Sequence, residues 1–292
     1  MLPSVAPPAA SETPLPEAGA VALASRRRNS APWGARIAMT FLIVIVVACV
    51  LAPLLAPDNP LSTSITARLQ GPSLRHLLGT DSDGRDVLSR VLYGGRSAFE
   101  GVGIALLGTI ILGIPWGLLA GLAGGLVDEA LMRLADTVLS FPALVLAIAI
   151  TGVLGPSLVT AMLAISVVFG PIVARLLRTA VLPLRDAEFI LVARSLGVGR
   201  ARIALQHILP NAMAPVLVQL FSLASLALII EAALAFLGLG VQPPLPSWGA
   251  DLAQAYSYFT VTPLGTIVPG LIITISALAI SVTGDYVRSV LR

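Results

Sequence analysis

Long apolar runs separated by short polar segments are the feature that most restricts the fold of this chain. A bilayer has a hydrocarbon core about 30 Å thick, which roughly 20 apolar helical residues can cross. Only 11% of the 292 residues are charged and 57% are hydrophobic, whereas a soluble domain carries roughly 25% charged residues. The sequence therefore predicts an all-α integral membrane protein with six transmembrane helices. They cover about residues 37–56, 99–123, 134–154, 158–177, 212–239 and 264–284.

Both ends of the chain are predicted to lie in the cytoplasm. Residues 1–30 are rich in Pro, Ala, Ser and Glu and have no apolar period, which indicates a disordered tail. A signal peptide is the alternative, but the acidic, proline-rich lead-in is not typical of one. Thirteen of the 18 basic residues, all arginines, fall in segments assigned to the cytoplasmic side, and five fall in the others. This asymmetry favours the six-span orientation.

A basic segment lies between the fourth and fifth runs, over about residues 183–211, and is called the basic loop below. Asp186 is expected to cap a short helix over about 187–196, which Gly197 ends in the left-handed conformation. A second helix is expected to follow from about residue 199 until Pro210 interrupts it.

The first loop helix presents Phe189, Ala193 and Leu196 on one face. A helix pair with an apolar ridge and basic flanks fits a groove on a soluble partner. It equally fits the lipid headgroup region. Composition alone leaves these two interpretations open.

The segment over residues 57–97, called the outer segment below, is predicted to carry an amphipathic helix. Asp83 is expected to cap this helix, with Asp86 three residues on. Arg85 and Arg90 belong to its polar face, and two consecutive glycines, Gly94 and Gly95, are expected to end it. The remaining part of the chain, residues 98–290, is predicted to form the core with the basic loop.

Two features inside the apolar runs stand out. Gly113, Gly117, Gly121 and Gly125 recur every four residues, and such a face allows a second helix to approach closely. Glu231 is a carboxylate near the outer end of the fifth run. Carboxylates inside spans are functional candidates, although an interfacial position or a bond to a neighbouring helix is the milder interpretation.

Three stretches carry a resemblance to one family. In the basic loop, Ala193, Gly197, Leu209 and Pro210 resemble the "EAA" loop of ABC-importer permeases, although Leu191 stands at the position of its Glu, Val192 at that of its first Ala and His207 at that of its Ile. The stretches "HLLGTDSDGRDVLSRVLYGGR" (76–96) and "FLGLGVQPPLPSWG" (236–249) resemble the dipeptide, oligopeptide and nickel branch, in its C-type permease subunit.

The resemblance implies a subunit that pairs with a second, related permease chain, two cytoplasmic ATPases and an extracytoplasmic solute-binding protein in a bacterial inner membrane. It implies alternating access for short peptides, with nickel complexes, opines and glutathione as alternative substrates. The loop residues it implies in contact with the ATPases are Asp186, Phe189, Ala193, Arg194, Leu196, Gly197, Arg200, His207, Leu209 and Pro210. Those expected in the outer vestibule, or against the binding protein, are Asp83, Arg85, Asp86, Arg90, Gln242 and Trp248.

Several classes of activity are disfavoured by what the sequence does not contain. The chain has no lysine and therefore no phosphate-binding Gly-x4-Gly-Lys loop, so ATP and Mg²⁺ are expected on partner chains. It has one cysteine and two histidines, which predicts no metal site and no cofactor. An ion-coupled secondary transporter is the remaining rival, but the internal repeat typical of that class is absent.

Overall fold

The computed structural model describes residues 32–290, so the predicted tail lies outside the described residues. Within this range the regular secondary structure is helical, and the only β-type pairing is an isolated bridge between Thr80 and Asp86. The predicted all-α class is therefore confirmed. The helices are α1 (Pro32–Val50), α2 (Ala52–Leu55), α3 (Val87–Ala123), α4 (Gly125–Leu139), α5 (Ala143–Leu154), α6 (Leu158–Arg185), α7 (Glu188–Ser195), α8 (Arg200–Ile203), α9 (Leu209–Phe236), α10 (Trp248–Tyr256) and α11 (Pro263–Val290).

Five of the six predicted spans are single long apolar helices, namely α1, α3, α6, α8 continued by α9, and α11. The third, predicted over residues 134–154, is instead a pair: α4 and α5 meet at 88°. Pro142 stands at the bend, immediately before α5. Because proline has no N–H for the helical ladder, the chain turns there rather than continuing straight.

Helix α3 is continuous over 37 residues and joins the outer segment to the second span. The prediction that Gly94 and Gly95 end a separate outer helix is therefore wrong. Both glycines lie where Trp248 packs across α3: a Cβ added at Gly94 would lie 3.1 Å from its Cδ1, and one at Gly95 would lie 2.7 Å from its Cζ2. They allow close packing and do not mark a helix end.

The contact between α3 and α6 is made at the level of the backbone. A Cβ added at Gly113 would lie 2.8 Å from the carbonyl oxygen of Gly170, one at Gly117 would lie 2.9 Å from Cα of Ala174, and one at Gly121 would lie 2.7 Å from Cγ1 of Val181. Gly125 does not belong to this row, since it starts α4 and nothing lies within 4 Å of its Cβ position. Three of the four predicted packing glycines thus face α6.

Substituting Gly117 by Ala should destabilise the folded chain, because the new methyl group would overlap the backbone of Ala174. Overpacking of this kind costs about 1–3 kcal/mol. Gly103→Ala is the matched control, since Gly103 lies in the same helix and nothing is within 4 Å of its Cβ position. Thermal unfolding in detergent should show a lower Tm for Gly117→Ala alone; equal Tm values for the two variants would contradict the close contact.

Candidate functional site

The first helix of the basic loop begins one residue later than predicted. Helix α7 starts at Glu188 after Ala187, whose backbone is extended and which makes no side-chain cap. Asp186 instead closes α6, and its carboxylate lies 3.5 Å from Nε of Arg185. The prediction that Asp186 caps the loop helix is therefore wrong. Glu188 provides the negative charge in the first turn of α7, where the helix dipole favours it.

Gly197 ends α7 as predicted from the sequence, with φ of +78°. Its N–H donates to the carbonyl oxygen of Arg194 at 3.0 Å, and the N–H of Val198 donates to that of Ala193 at 3.1 Å. This pair of hydrogen bonds is the Schellman arrangement, which satisfies the last carbonyls of a helix and needs a left-handed residue at this position. The elbow between α7 and α8 is therefore fixed by the backbone conformation of one glycine.

One side of α7 is anchored and the other is open. Ile190 is fully buried, and Ala193 packs against the core. Phe189 and Leu196 are 48% and 78% exposed. The predicted ridge of Phe189, Ala193 and Leu196 is thus divided, with Ala193 facing inward. One hydrogen bond also holds the helix, from Arg194 to the carbonyl oxygen of Arg185 at 3.4 Å. Leu191 and Val192 add to the exposed apolar area.

The second part of the loop is continuous with the fifth span. Helix α8 starts at Arg200, whose side chain is exposed, and passes through a π-helical turn, Ala204–Ile208, into α9. Pro210 lies in the first turn of α9 and does not interrupt the path, contrary to the prediction. The carbonyl oxygen of His207, in the wide turn, accepts a hydrogen bond from the side chain of Asn211 at 2.6 Å. A wide turn of this type accommodates the proline, which cannot donate to the preceding turn.

In the outer segment the helix cap is Asp86 and not Asp83. Asp86 Oδ2 accepts from the backbone N–H of Ser89 at 2.7 Å and from its hydroxyl at 2.8 Å. Asp83 instead pairs with Arg85 at 2.9 Å and accepts from the side chain of Gln254 at 3.0 Å. The capping prediction was therefore misplaced by three residues.

The polar face predicted for the outer helix is buried. Arg85 is 4% exposed and donates to Asp81 at 2.6 Å and to Gln254 Oε1 at 2.6 Å. Arg90 is 5% exposed and donates through Nε to Asp251 Oδ1 at 2.9 Å. Because buried charges need partners, this network joins the start of α3 to α10. It includes two members that the sequence did not single out, Asp251 and Gln254.

Trp248 is also internal and is not available for contact with another protein. It is fully buried, its indole N–H donates to the carbonyl oxygen of Val91 at 2.7 Å, and Phe99 meets it edge-on with ring centroids 5.7 Å apart. Gln242 remains exposed, and its amide donates to the carbonyl oxygen of Gly238 at 2.9 Å. Of the predicted outer contact residues, Gln242 and Asp83 keep accessible side chains.

Glu231 lies in α9 and is 1% exposed. Neither of its carboxylate oxygens has a hydrogen-bond partner among the described residues. The expected bond to a neighbouring helix is therefore not formed within this part of the chain.

Asp251 lies in α10, outside the spans, and its carboxyl group has a raised pKa. Burial raises its pKa to about 6, and Arg90 beside it acts in the opposite direction without cancelling the effect. Because this pKa lies above the ordinary value of a carboxyl group, the folded protein binds the proton more tightly than the unfolded chain. The contribution of Asp251 to stability is thus lost as the pH rises through about 6 and returns as it falls.

Between pH 7 and pH 5, wild type should therefore gain about 1 kcal/mol of stability relative to Asp251→Asn, which cannot titrate. The measurement is unfolding of both proteins in detergent across this range. Asp83→Asn, in the same network but with a half-exposed side chain, is the matched control and should follow the wild-type profile. A stability difference between wild type and Asp251→Asn that does not change with pH would contradict the raised pKa.

Comparison with known proteins agrees with this architecture. Residues 113–291 match the family "Binding-protein-dependent transport system inner membrane component", and residues 26–72 match the "N-terminal TM domain of oligopeptide transport permease C". Among solved structures, the MetNI methionine ABC transporter in an inward-facing conformation superimposes with a TM-score of 0.57 at 16% identity, covering 70% of this chain and 96% of the other. That likeness concerns the fold.

Three curated relatives extend over most of the chain. The dipeptide transport system permease protein of Alkalihalophilus pseudofirmus is 40% identical, covering 88% of this chain and 85% of its own. The di/tripeptide permease of Pseudomonas aeruginosa is 40% identical over 88% and 87%, and the nickel permease of Escherichia coli is 35% identical over 89% and 94%. This chain therefore belongs to the family of binding-protein-dependent transport system inner membrane components, the non-catalytic permease subunits of ABC transporters.

Proposed function

We propose that this chain forms part of the translocation pathway of an ATP-driven importer for short peptides. The observation that carries the substrate class is the identity of about 40% to permeases named for dipeptides and for di- and tripeptides. The glutathione and nickel permeases are 37% and 35% identical, so they define the alternatives. Opines are a further alternative implied by the sequence resemblance alone.

We propose that the basic loop couples the pathway to the ATPases. Its first helix offers exposed apolar side chains at Phe189 and Leu196 and is anchored to the body by buried Ile190. A helix held on one side and open on the other fits a groove on a soluble protein. Because α8 continues through the π turn into α9, a displacement of the loop is passed to a membrane span as a rigid-body motion.

The partners follow from this role. The proposed assembly contains a second, related permease chain, two ATPases that bind ATP and Mg²⁺, and a solute-binding protein. Gln242 and Asp83, with accessible side chains on the outer segment and its neighbouring loop, are the proposed contacts for the binding protein. The distribution of arginines supports an orientation with both termini in the cytoplasm. The description of the matching family as an inner membrane component supports a bacterial inner-membrane location.

The coupling role of the basic loop is tested at Gly197, the elbow between α7 and α8. Gly197→Val should lower the coupling of ATP hydrolysis to uptake, because a β-branched residue at φ of +78° is strained by about 1–3 kcal/mol. Nothing lies within 4 Å of the added Cβ, so the membrane region should still fold. Gly197→Asn should be milder, since Asn tolerates this conformation better. Gly199→Ser is the matched control, because Gly199 also faces open space and has ordinary backbone angles at a helix start.

The assay is uptake of a labelled dipeptide into proteoliposomes that contain the assembled complex and ATP. Wild type and Gly199→Ser should take up the dipeptide only with ATP inside, and should do so after the proton gradient is collapsed. Gly197→Val should insert normally but transport less per ATP hydrolysed. Normal coupling of ATP hydrolysis to uptake in Gly197→Val would contradict the role proposed for the loop. Uptake of a nickel complex or glutathione in place of the dipeptide would contradict the proposed substrate class.

A further inference from the structure

A second cluster in the outer segment brings together three side chains of the kinds that bind metal ions. Asp58 follows α2, His76 lies in the connection before α3, and Asp86 caps α3. Nδ1 of His76 lies 3.1 Å from Oδ1 of Asp86 and 3.8 Å from Oδ2 of Asp58. The three atoms all lie within 4.8 Å of one another. Spacing along the sequence did not indicate this site, because 18 and 10 residues separate its members.

The cap and the cluster use different atoms of Asp86. Its Oδ2 accepts the two hydrogen bonds from Ser89, which leaves Oδ1 to face His76. The hydroxyl of Ser89 also accepts from the backbone N–H of Asp58 at 3.1 Å. Ser89 therefore holds both carboxylate residues in place, as residues behind metal ligands commonly do.

Charge and access both fit a cation. Within residues 32–290, no arginine lies within 4.0 Å of the carboxylates of Asp58 or Asp86. Side-chain exposure is 1% at Asp86, 9% at His76 and 39% at Asp58, so the cluster is buried on one side and open at Asp58. Two carboxylates and a neutral imidazole carry two negative charges, which a divalent ion neutralises.

A protonated His76 accounts for only part of this geometry. A single Nδ1–H can donate to one carboxylate, and the distance of 3.8 Å to Asp58 is too long for a hydrogen bond. An ion between the three atoms faces all of them at once. Ligands about 2.1 Å from such an ion are separated from one another by roughly 3–3.5 Å, so an inward movement of Asp58 completes the set.

We propose that Asp58, His76 and Asp86 bind a divalent transition-metal ion, with Zn²⁺ as the ion that one imidazole and two carboxylates fit best. The fourth position faces the open side at Asp58 and takes a water molecule. The ion fastens the outer segment to the first turn of α3. Its role is structural, and it does not depend on which substrate the importer carries.

The test is zinc binding by the full chain, purified in detergent through an affinity tag without histidines and stripped with a chelator. Bound Zn²⁺ is measured by elemental analysis and calorimetry, and Co²⁺ is used as a spectroscopic substitute. His76→Gln and Asp58→Asn remove one ligand each. Asp58→Asn leaves the cap of α3 intact. His207→Gln is the matched control, because His207 is the other histidine of the chain.

Wild type and His207→Gln should bind one Zn²⁺ per chain and unfold at a higher temperature with Zn²⁺ present. His76→Gln and Asp58→Asn should bind it at least about tenfold more weakly and lose the thermal shift. The proposal is overturned if wild type binds no stoichiometric zinc, or if binding survives in both ligand variants. Loss of binding in His207→Gln to the same extent would also overturn it.

Discussion

The arrangement of this chain depends on the backbone contact between α3 and α6. In a bilayer the lipid tails are as apolar as the side chains, so helices associate through close packing and not through exclusion of water. Gly113, Gly117 and Gly121 remove the side chains that would keep the two helices apart. Of the long helices in the described chain, α6 is consequently the most buried, while α1 and α11 keep large apolar surfaces exposed.

Helices α3 and α6 also connect the outer segment to the basic loop. The first turn of α3 is fixed by Asp86 and by the pairing of Arg90 with Asp251, so its outer end is tied to α10. At the other end α6 leads directly into the basic loop, where Arg194 donates to the carbonyl oxygen of Arg185. The glycine contact therefore lies between a charged outer network and the loop proposed to meet the ATPases. Rigid elements joined in this way transmit displacements, whereas flexible segments absorb them.

Features set by neighbouring residues could be predicted from the sequence, whereas features set by distant partners could not. The spans and Gly197 follow from local rules, namely apolar length and the left-handed end of a helix. The burial of Arg85 and Arg90 does not follow from local rules, because their partners Gln254 and Asp251 lie more than 150 residues away along the chain. The two consecutive glycines of α3 suggested a helix end, yet they allow Trp248, and at Gly95 also Cys49, to pack closely against the helix. The effect of a proline also depends on the structure around it. The chain bends at Pro142, whereas at Pro210 a preceding π turn lets the helical path continue.

The most direct test of the proposed coupling is a cross-link from the exposed tip of α7. Cys49 is the single cysteine and is buried, so Cys49→Ala provides a background in which one new thiol can react. In the assembled complex, a reagent that links two thiols should cross-link the cysteine of Leu196→Cys to an ATPase subunit that carries a thiol in its groove. Leu74→Cys, fully exposed on the outer segment, should not. An ATPase product from Leu74→Cys, or none from Leu196→Cys in a complex that still contains the ATPases, would contradict the account.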